Sequence, residues 1–237
     1  MSCQWIKDLY LWLFSKGERE RVVIDAADKL QMSMRVTAKS RYNAAGRLQS
    51  QGKFAFFTTT FLSLGLIFIP LLQNSGVSLA FKGSVLNMMS IFLAVAVLVY
   101  SVIIGTARYD VRGEKLTECG DKLKELIREM DKDREANQKL IPAETLANYQ
   151  VRYSDIVTDS ENHTRSDYYL ATLEMDGDYF LTGIPRFHRF SLAYSYNFLA
   201  YILPLLMLVF EIIFITDMFG ATDVLSPYFN GVRGQNA

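Results

Sequence analysis

The side chains that could support catalysis are few, and most of them fall in one short run. The chain has two histidines, His163 and His188, and the run Glu161-Asn162-His163 is followed closely by Asp167. An imidazole beside carboxylates suggests general acid–base chemistry of the kind used in hydrolysis. However, the sequence contains no nucleophile elbow, no Gly-rich phosphate loop and no histidine pair spaced to hold a metal. We therefore predict no catalytic residue, no metal and no cofactor.

The same run is also typical of the start of a helix. Glu161, Asn162, His163 and Asp167 precede the helical pattern YYLATLE. Asn and Asp side chains at such a position commonly accept hydrogen bonds from the first free backbone N–H groups. We expect these residues to cap the helix and fix the preceding turn. The alternative is that they form a site for a ligand or a partner protein.

A second chemically notable residue is Glu211, which interrupts the apolar run FLAYILPLLMLVFEIIFI. An acid inside a membrane-spanning helix is by default a candidate functional residue, because burying a charge in lipid is costly. The alternative, which the position near the outer end of the run favours, is that the carboxylate reaches interfacial water.

The elements that must position these residues are dominated by a hairpin of two apolar segments. Phe54–Leu72 and Val85–Ala107 contain no charged side chain, and the polar stretch between them is short. A helix needs ~20 apolar residues to cross ~30 Å of hydrocarbon. The pattern predicts an all-α membrane protein with a transmembrane helical hairpin, long cytoplasmic helices and a third C-terminal span.

The predicted layout divides the chain into six segments. They are an amphipathic interfacial helix at 1–17, a cytoplasmic helix leading into the membrane at 18–53, the hairpin at 54–107, a cytoplasmic helical lobe at 108–190, a third transmembrane helix at 191–217 and a tail at 218–237. The first segment has two tryptophans and a tyrosine, which suit a membrane interface. Packing of this aromatic helix on the protein itself is the alternative.

Basic residues set the predicted orientation. They precede the first span and follow the second, whereas the loop between the spans has only Lys82. The positive-inside rule places both ends of the hairpin in the cytoplasm. We therefore expect a multi-pass protein of a bacterial inner membrane, with a cytoplasmic N-terminus and a periplasmic C-terminus. The charges balance, at 25 Lys and Arg against 25 Asp and Glu, and indicate no nucleic-acid site.

Small residues recur at one-turn spacing along the hairpin. The positions are Thr59 and Ser63, Ser90 and Ala94, and Ser101 and Gly105. Such faces let membrane helices approach closely, so helix packing is the first interpretation. The alternative is that their hydroxyl groups line an aqueous path once several hairpins assemble.

The chain resembles the SLATT family of bacterial defence effectors in two places. The first is Arg35 to Leu72, RVTAKSRYNAAGRLQSQGKFAFFTTTFLSLGLIFIPLL, which leads into and includes the first span. The second is the run Tyr153-Ser-Asp-Ile156, followed by Glu161-Asn162-His163 and Asp167-Tyr168. The likeness covers most of the chain after about residue 20. It is greatest to a subgroup that has a third C-terminal span and whose genes often neighbour a reverse transcriptase.

The resemblance implies an oligomeric effector of anti-phage defence that forms a pore in, or otherwise disrupts, the inner membrane after a cytoplasmic signal. It implies further copies of the chain, the lipid bilayer, and a reverse transcriptase or a nucleotide-signal system as partners. The first alternative is a non-conducting membrane-anchored adaptor that recruits a cytoplasmic partner. A membrane hydrolase built on His163 is the second.

Overall fold

The structure, a computed structural model, describes residues 2–16, 19–137 and 140–229. Within these ranges the chain forms α-helices and no β-strand, which confirms the all-α prediction. The helices are α1 (Ser2–Phe14), α2 (Ala26–Asn74), α3 (Gly83–Ala107), α4 (Tyr109–Ala136), α5 (Ala143–Thr158), α6 (Arg165–Glu174), α7 (Gly183–Met218) and α8 (Ser226–Phe229). The predicted boundary at residues 17 and 18 and the tail residues 230–237 lie outside the described ranges.

The chain forms two compact units. The polar unit contains the residues up to Gln49 together with Asp110–Leu199, and the apolar unit contains Ser50–Tyr109 and the residues from Ala200 onward. Three helices are long and apolar enough to cross a membrane: α2, α3 with its continuation, and α7. The prediction of a hairpin and a third span is therefore confirmed, and the chain is a multi-pass membrane protein.

The long helix α2 begins later than the sequence suggested. Residues 20–25 were predicted to be helical, but they form no helix, and Glu20 forms an isolated bridge with Tyr179. The N–H of Arg21 donates to the carbonyl of Asp178 at 2.9 Å. The β-branched run from Val22 to Ile24 favours this conformation over a helix. From Ala26 onward α2 is continuous into the first span, as expected.

Prolines are accommodated within the helices. α2 continues past Pro70 to Asn74, whose side-chain amide donates to the Pro70 carbonyl at 2.9 Å. The stretch from Gly183 to Pro185 forms the first turn of α7. Proline is well accepted there because the first N–H groups of a helix have no intrahelical partner.

A glycine is required at position 183, because this position lies against α1. Its φ of +56° is left-handed, and a Cβ added there would overlap the backbone of Leu13. The adjacent Thr182 hydroxyl donates to the Trp12 carbonyl at 2.6 Å. The C-terminal end of α1 is thus attached to the start of α7, while Trp5 and Trp12 remain exposed.

The polar unit is held together by the first half of α2, which packs on α4 and α5. Apolar residues of α2 at alternating three- and four-residue steps form the buried contact. They are Ala27, Leu30 and Met34 against Leu126, Met130 and Tyr149, and Ala38 against Cys119 and Leu123. The approach of α2 and α4 is close, because a Cβ on Gly120 would lie 2.8 Å from the Tyr42 ring.

The apolar unit has its own core, formed by side chains of α2, α3 and α7. The buried members are Leu62, Ile69, Phe81, Val85, Leu86, Met89, Leu93, Phe214 and Met218. Rings of Phe81 and Phe214 stack at 4.9 Å between centroids. The third apolar helix therefore packs with the hairpin within this unit.

Candidate functional site

The turn before α6 is organised around Asp167, which is completely buried. Its carboxylate accepts the backbone N–H of Thr164 at 2.9 Å and the Thr164 hydroxyl at 2.6 Å. The guanidinium of Arg47 donates to both carboxylate oxygens, each at 2.9 Å. Planar bidentate pairs of this kind are the strongest side-chain ion pairs. Asp167 therefore fixes the start of α6 and joins it to α2.

The other residues of the sequence motif contact different helices and do not converge on one another. The Tyr153 hydroxyl lies 2.9 Å from the Thr37 hydroxyl, and Glu161 accepts from Arg112 at 2.9 Å. His163 stacks on the Tyr168 ring at 6.4 Å between centroids. Among the described residues, no hydroxyl or thiol is hydrogen-bonded to His163 Nδ1, and the arrangement resembles a structural brace more than a catalytic centre. Its use as a partner site stays a prediction.

Arg41, which lies on α2, was not singled out from the sequence. The residue is fully buried, and its Nη2 donates to the Val157 carbonyl and to Asn162 Oδ1, each at 3.3 Å. Its Nε and Nη1 have no partner among the residues described. Burial, together with this guanidinium, lowers the pKa of His163, so its imidazole is neutral near pH 7. The position of Arg41 in the apolar repeat was the available signal.

The apolar unit contains the second candidate residue, Glu211. Its side chain is 0% exposed, and neither carboxylate oxygen has a hydrogen-bond partner in the described part of the chain. The interpretation that it reaches interfacial water does not fit this burial. Gly65 of α2 makes the placement possible, because a Cβ there would overlap the Glu211 carboxylate.

Glu211 lies on a regular seam between α2 and α7. The buried residues of α2 on this side are Thr58, Leu62, Gly65 and Ile69, and those of α7 are Pro204, Leu208, Glu211, Phe214 and Met218. Along α7 these positions follow three- and four-residue steps, as in a coiled-coil seam. An acid with no hydrogen-bond partner among the described residues therefore occupies a position at which close packing normally requires an apolar side chain.

The small residues of the hairpin fall into two groups. Thr59, Ser63 and Ser90 are half-buried, and each hydroxyl donates to a carbonyl of its own helix, at distances of 3.0, 2.7 and 3.0 Å. Ala94, Ser101 and Gly105 are exposed on α3. The second group is therefore free to contact lipid or another copy of the chain. Packing between copies and pore lining both stay predictions for these positions.

The described residues contain no group of three or more His, Cys, Asp or Glu side chains that could hold a metal ion. Neither unit thus presents a metal centre in those ranges, and the two features that stand out are the Asp167 brace and the buried Glu211.

Comparison with known families places both features in context. A family model described as the SMODS and SLOG-associating 2TM effector domain, family 5, matches residues 25–215. The chain belongs to this SLATT family. No curated protein and no solved structure gives a significant match. The SLATT match begins one residue before α2 and ends within α7, so it includes Arg47, Asp167 and Glu211.

Membership in the SLATT family indicates the general function of the chain. The family is one of membrane effectors associated with defence systems and is not a known enzyme family. This agrees with the three apolar helices and with the structural use of the Glu161–Asp167 run. The match also extends through most of the third apolar helix, so α7 belongs to the SLATT region in this chain.

Proposed function

We propose that this SLATT protein is an oligomeric pore-forming effector of a bacterial anti-phage defence system. The observation that carries the proposal is the unused small-residue face of α3. Ala94, Ser101 and Gly105 are exposed in the single chain, two of them one helical turn apart. In lipid, where apolar side chains gain nothing by leaving the solvent, close packing of small faces supplies much of the association free energy. The face is suited to contact a second copy.

Several copies are required because three helices cannot enclose a wide aqueous path. Only 17% of the most apolar window of the α3 segment is buried within the chain. Most of its surface is therefore available to lipid and to neighbouring copies. The charged residues flanking the spans favour an inner-membrane orientation with a cytoplasmic polar unit and a periplasmic C-terminus.

The polar unit is the proposed receiver of the signal. Its Asp167 brace holds α6 against the first half of α2, and α2 continues without a break from Ala26 to Asn74. A partner or ligand that changes this packing would displace a helix whose second half lies in the membrane. The trigger belongs to the class of cytoplasmic signals supplied by a nucleotide-signal system or a reverse transcriptase.

The direct test is ion flow. Purified full-length protein in liposomes should dissipate a potassium gradient, and its induction in cells should collapse the membrane potential before lysis. Replacing Ala94 and Gly105 together with leucine should reduce both effects, because large side chains hold neighbouring backbones apart. The matched control replaces Val95 and Val102 with leucine, since these exposed positions are already large. Dying cells with a normal potential would contradict the pore.

A non-conducting adaptor is the second candidate, and the surface of the polar unit favours it. A groove of about 670 Å³ between α2 and α4 is lined by Arg35, Lys39, Lys124 and Arg128, with Asp131 as its one acid in the lining described. Arg35 and Lys39 are already paired with Asp178 and Glu174, at 3.1 and 2.7 Å, so Lys124 and Arg128 are the residues that would attract an acidic partner. An adaptor should be tolerated when overexpressed alone, whereas a pore-forming effector should arrest growth.

A further inference from the structure

Glu211 is the buried ionisable group for which the packing of the chain offers no explanation. It is 0% exposed, and both of its oxygens lack a hydrogen-bond partner among the residues described. The comparison with Asp217, two turns further along α7, is instructive. Asp217 is also buried, but it accepts from the Thr222 hydroxyl and from the N–H groups of Leu225 and Ser226. The carboxylate of Asp217 thus has hydrogen-bond donors, whereas that of Glu211 has none among the described residues.

Within the described part of the chain, the helix segments around Glu211 supply no positive charge. The segments that form the apolar core around it, 54–72 of α2, 85–107 of α3 and 190–216 of α7, contain no Lys, Arg or His. The loop residue Lys82 is exposed, and Asp217 already binds the loop that follows α7. A carboxylate left unpaired in such surroundings is strongly disfavoured. The packed seam therefore disfavours the charged form of Glu211.

A glycine on α2 provides the space that the Glu211 side chain occupies. Gly65 faces it from α2, and any larger residue there would overlap the carboxylate. A leucine at position 211 would pack in the contact between α2 and α7 and would not need a glycine opposite it on α2. The pairing of an acid with a glycine thus costs packing free energy in the closed arrangement, and it leaves the seam with a position that water or a cation can satisfy better than the protein does.

We propose that Glu211 is the cation-binding residue of the conducting pathway. In the closed state, the contact between α2 and α7 buries the neutral carboxyl group of Glu211. When the two helices separate, the group becomes hydrated, releases its proton to water and binds permeating cations. This inference rests on the proposed pore function and names the class of its substrate, small inorganic cations. In an assembly, one carboxylate from each copy forms a ring, and rings of Glu or Asp are a common basis of cation selectivity.

The test is the ion selectivity of the reconstituted full chain. In planar bilayers with unequal KCl on the two sides, the wild-type reversal potential should lie on the cation-selective side. Glu211→Gln, which keeps the side-chain volume and removes the charge, should conduct with its reversal potential shifted towards zero. Asp223→Asn is the matched control, because Asp223 is exposed and lies beyond the end of α7. It should retain the wild-type value.

The possible outcomes separate the two proposals. A wild-type chain that conducts, with an unchanged reversal potential in Glu211→Gln, overturns the role of Glu211 and leaves the pore in place. A wild-type chain that conducts neither in bilayers nor in phage-infected cells, which supply the cytoplasmic signal, overturns both. Anion selectivity in the wild type also contradicts the inference.

A chemical measurement on the unmodified protein covers the case in which Glu211→Gln fails to fold. Dicyclohexylcarbodiimide, an apolar reagent, reacts with protonated carboxyl groups in membranes. Peptide mass spectrometry should locate its adduct at Glu211 in the resting protein, and a water-soluble carbodiimide should spare that residue while modifying exposed acids. Equal modification of Glu211 by both reagents would show a hydrated carboxylate and overturn the buried neutral acid.

Discussion

The two units treat a buried carboxylate in opposite ways. In the polar unit Asp167 is fully buried and receives two N–H groups of Arg47 at 2.9 Å, a hydroxyl and a backbone amide. In the apolar unit Glu211 is equally buried and receives nothing from the residues described. The first arrangement makes a contact that is difficult to break. The second leaves a contact that is easily exchanged for water, which suits a unit whose helices must rearrange.

The difference can be expressed as the effect of removing each acid. Removing one partner of a buried ion pair leaves an uncompensated charge and typically costs about 3–5 kcal/mol. Replacing a buried, unsatisfied polar group with an apolar one of similar size is often neutral or stabilising. The two acids should therefore respond to substitution with opposite signs.

The largest expected effect is that of Asp167→Ala. It leaves the Arg47 guanidinium, whose side chain is 16% exposed, without its partner and removes the cap of α6. We expect the polar unit to lose about 3–5 kcal/mol of stability. The measurement is thermal unfolding of the full chain in detergent, followed by protease resistance of the polar unit. Asp155→Ala is the control, because that acid is exposed on α5. Equal behaviour of the two variants would refute the bracing role.

The next effect is that of Gly65→Ala, which places a Cβ on the Glu211 carboxylate. Overpacking of this kind typically costs about 1–3 kcal/mol. The apolar unit should lose thermal stability in detergent, and Glu211→Ala in the same chain should recover most of the loss. Gly46→Ala, in the same helix, is the control, since a Cβ there meets nothing within 4 Å. Additive losses in the double variant would mean that Gly65 and Glu211 are not in contact.

A smaller effect of opposite sign is expected for Glu211→Leu. An apolar side chain completes the α2–α7 seam, and relief of an unsatisfied buried group should raise the stability by about 1–2 kcal/mol. Toxicity on induction should fall although the protein accumulates in the membrane. Leu208→Met, another buried position on the same face of α7, serves as the control for altered packing alone. A destabilised Glu211→Leu chain would indicate that the acid has a partner in the membrane.

The smallest effect concerns pH and tests the polar unit again. Burial, and next the Arg41 guanidinium, lower the pKa of His163 in the folded chain. His163 therefore binds a proton more readily in the unfolded chain than in the folded one. Its contribution to the free energy of unfolding is fully present above its unfolded pKa of about 6.5 and is lost as the pH falls below that value. His163→Gln should reduce the change in unfolding temperature between pH 7 and pH 5. His188→Gln, at an exposed position, should leave that change intact. If both variants behave alike, His163 is not the group responsible.

The sequence predicted the membrane helices well, because an uncharged apolar run of span length has few alternatives in water or lipid. It predicted the environment of single residues less well. Glu211 was expected to reach interfacial water, since nothing near it in the chain showed that Gly65 would lie opposite. Arg41 was not singled out, because only the fold brings the end of α5 and Asn162 to it. The non-helical stretch before α2 likewise depends on the pairing of Glu20 with Tyr179.

The attachment of α1 to the start of α7 has a consequence for spectroscopy. The chain has two tryptophans, Trp5 and Trp12, and both lie on α1 with more than half of their surface exposed, 68% and 55%. The intrinsic tryptophan emission of the whole protein therefore reports on this one helix. Indole emission shifts to the blue in a membrane interface, and brominated lipids quench it on contact. The natural chain thus carries a built-in fluorophore for the depth of α1, which requires no label and no substitution.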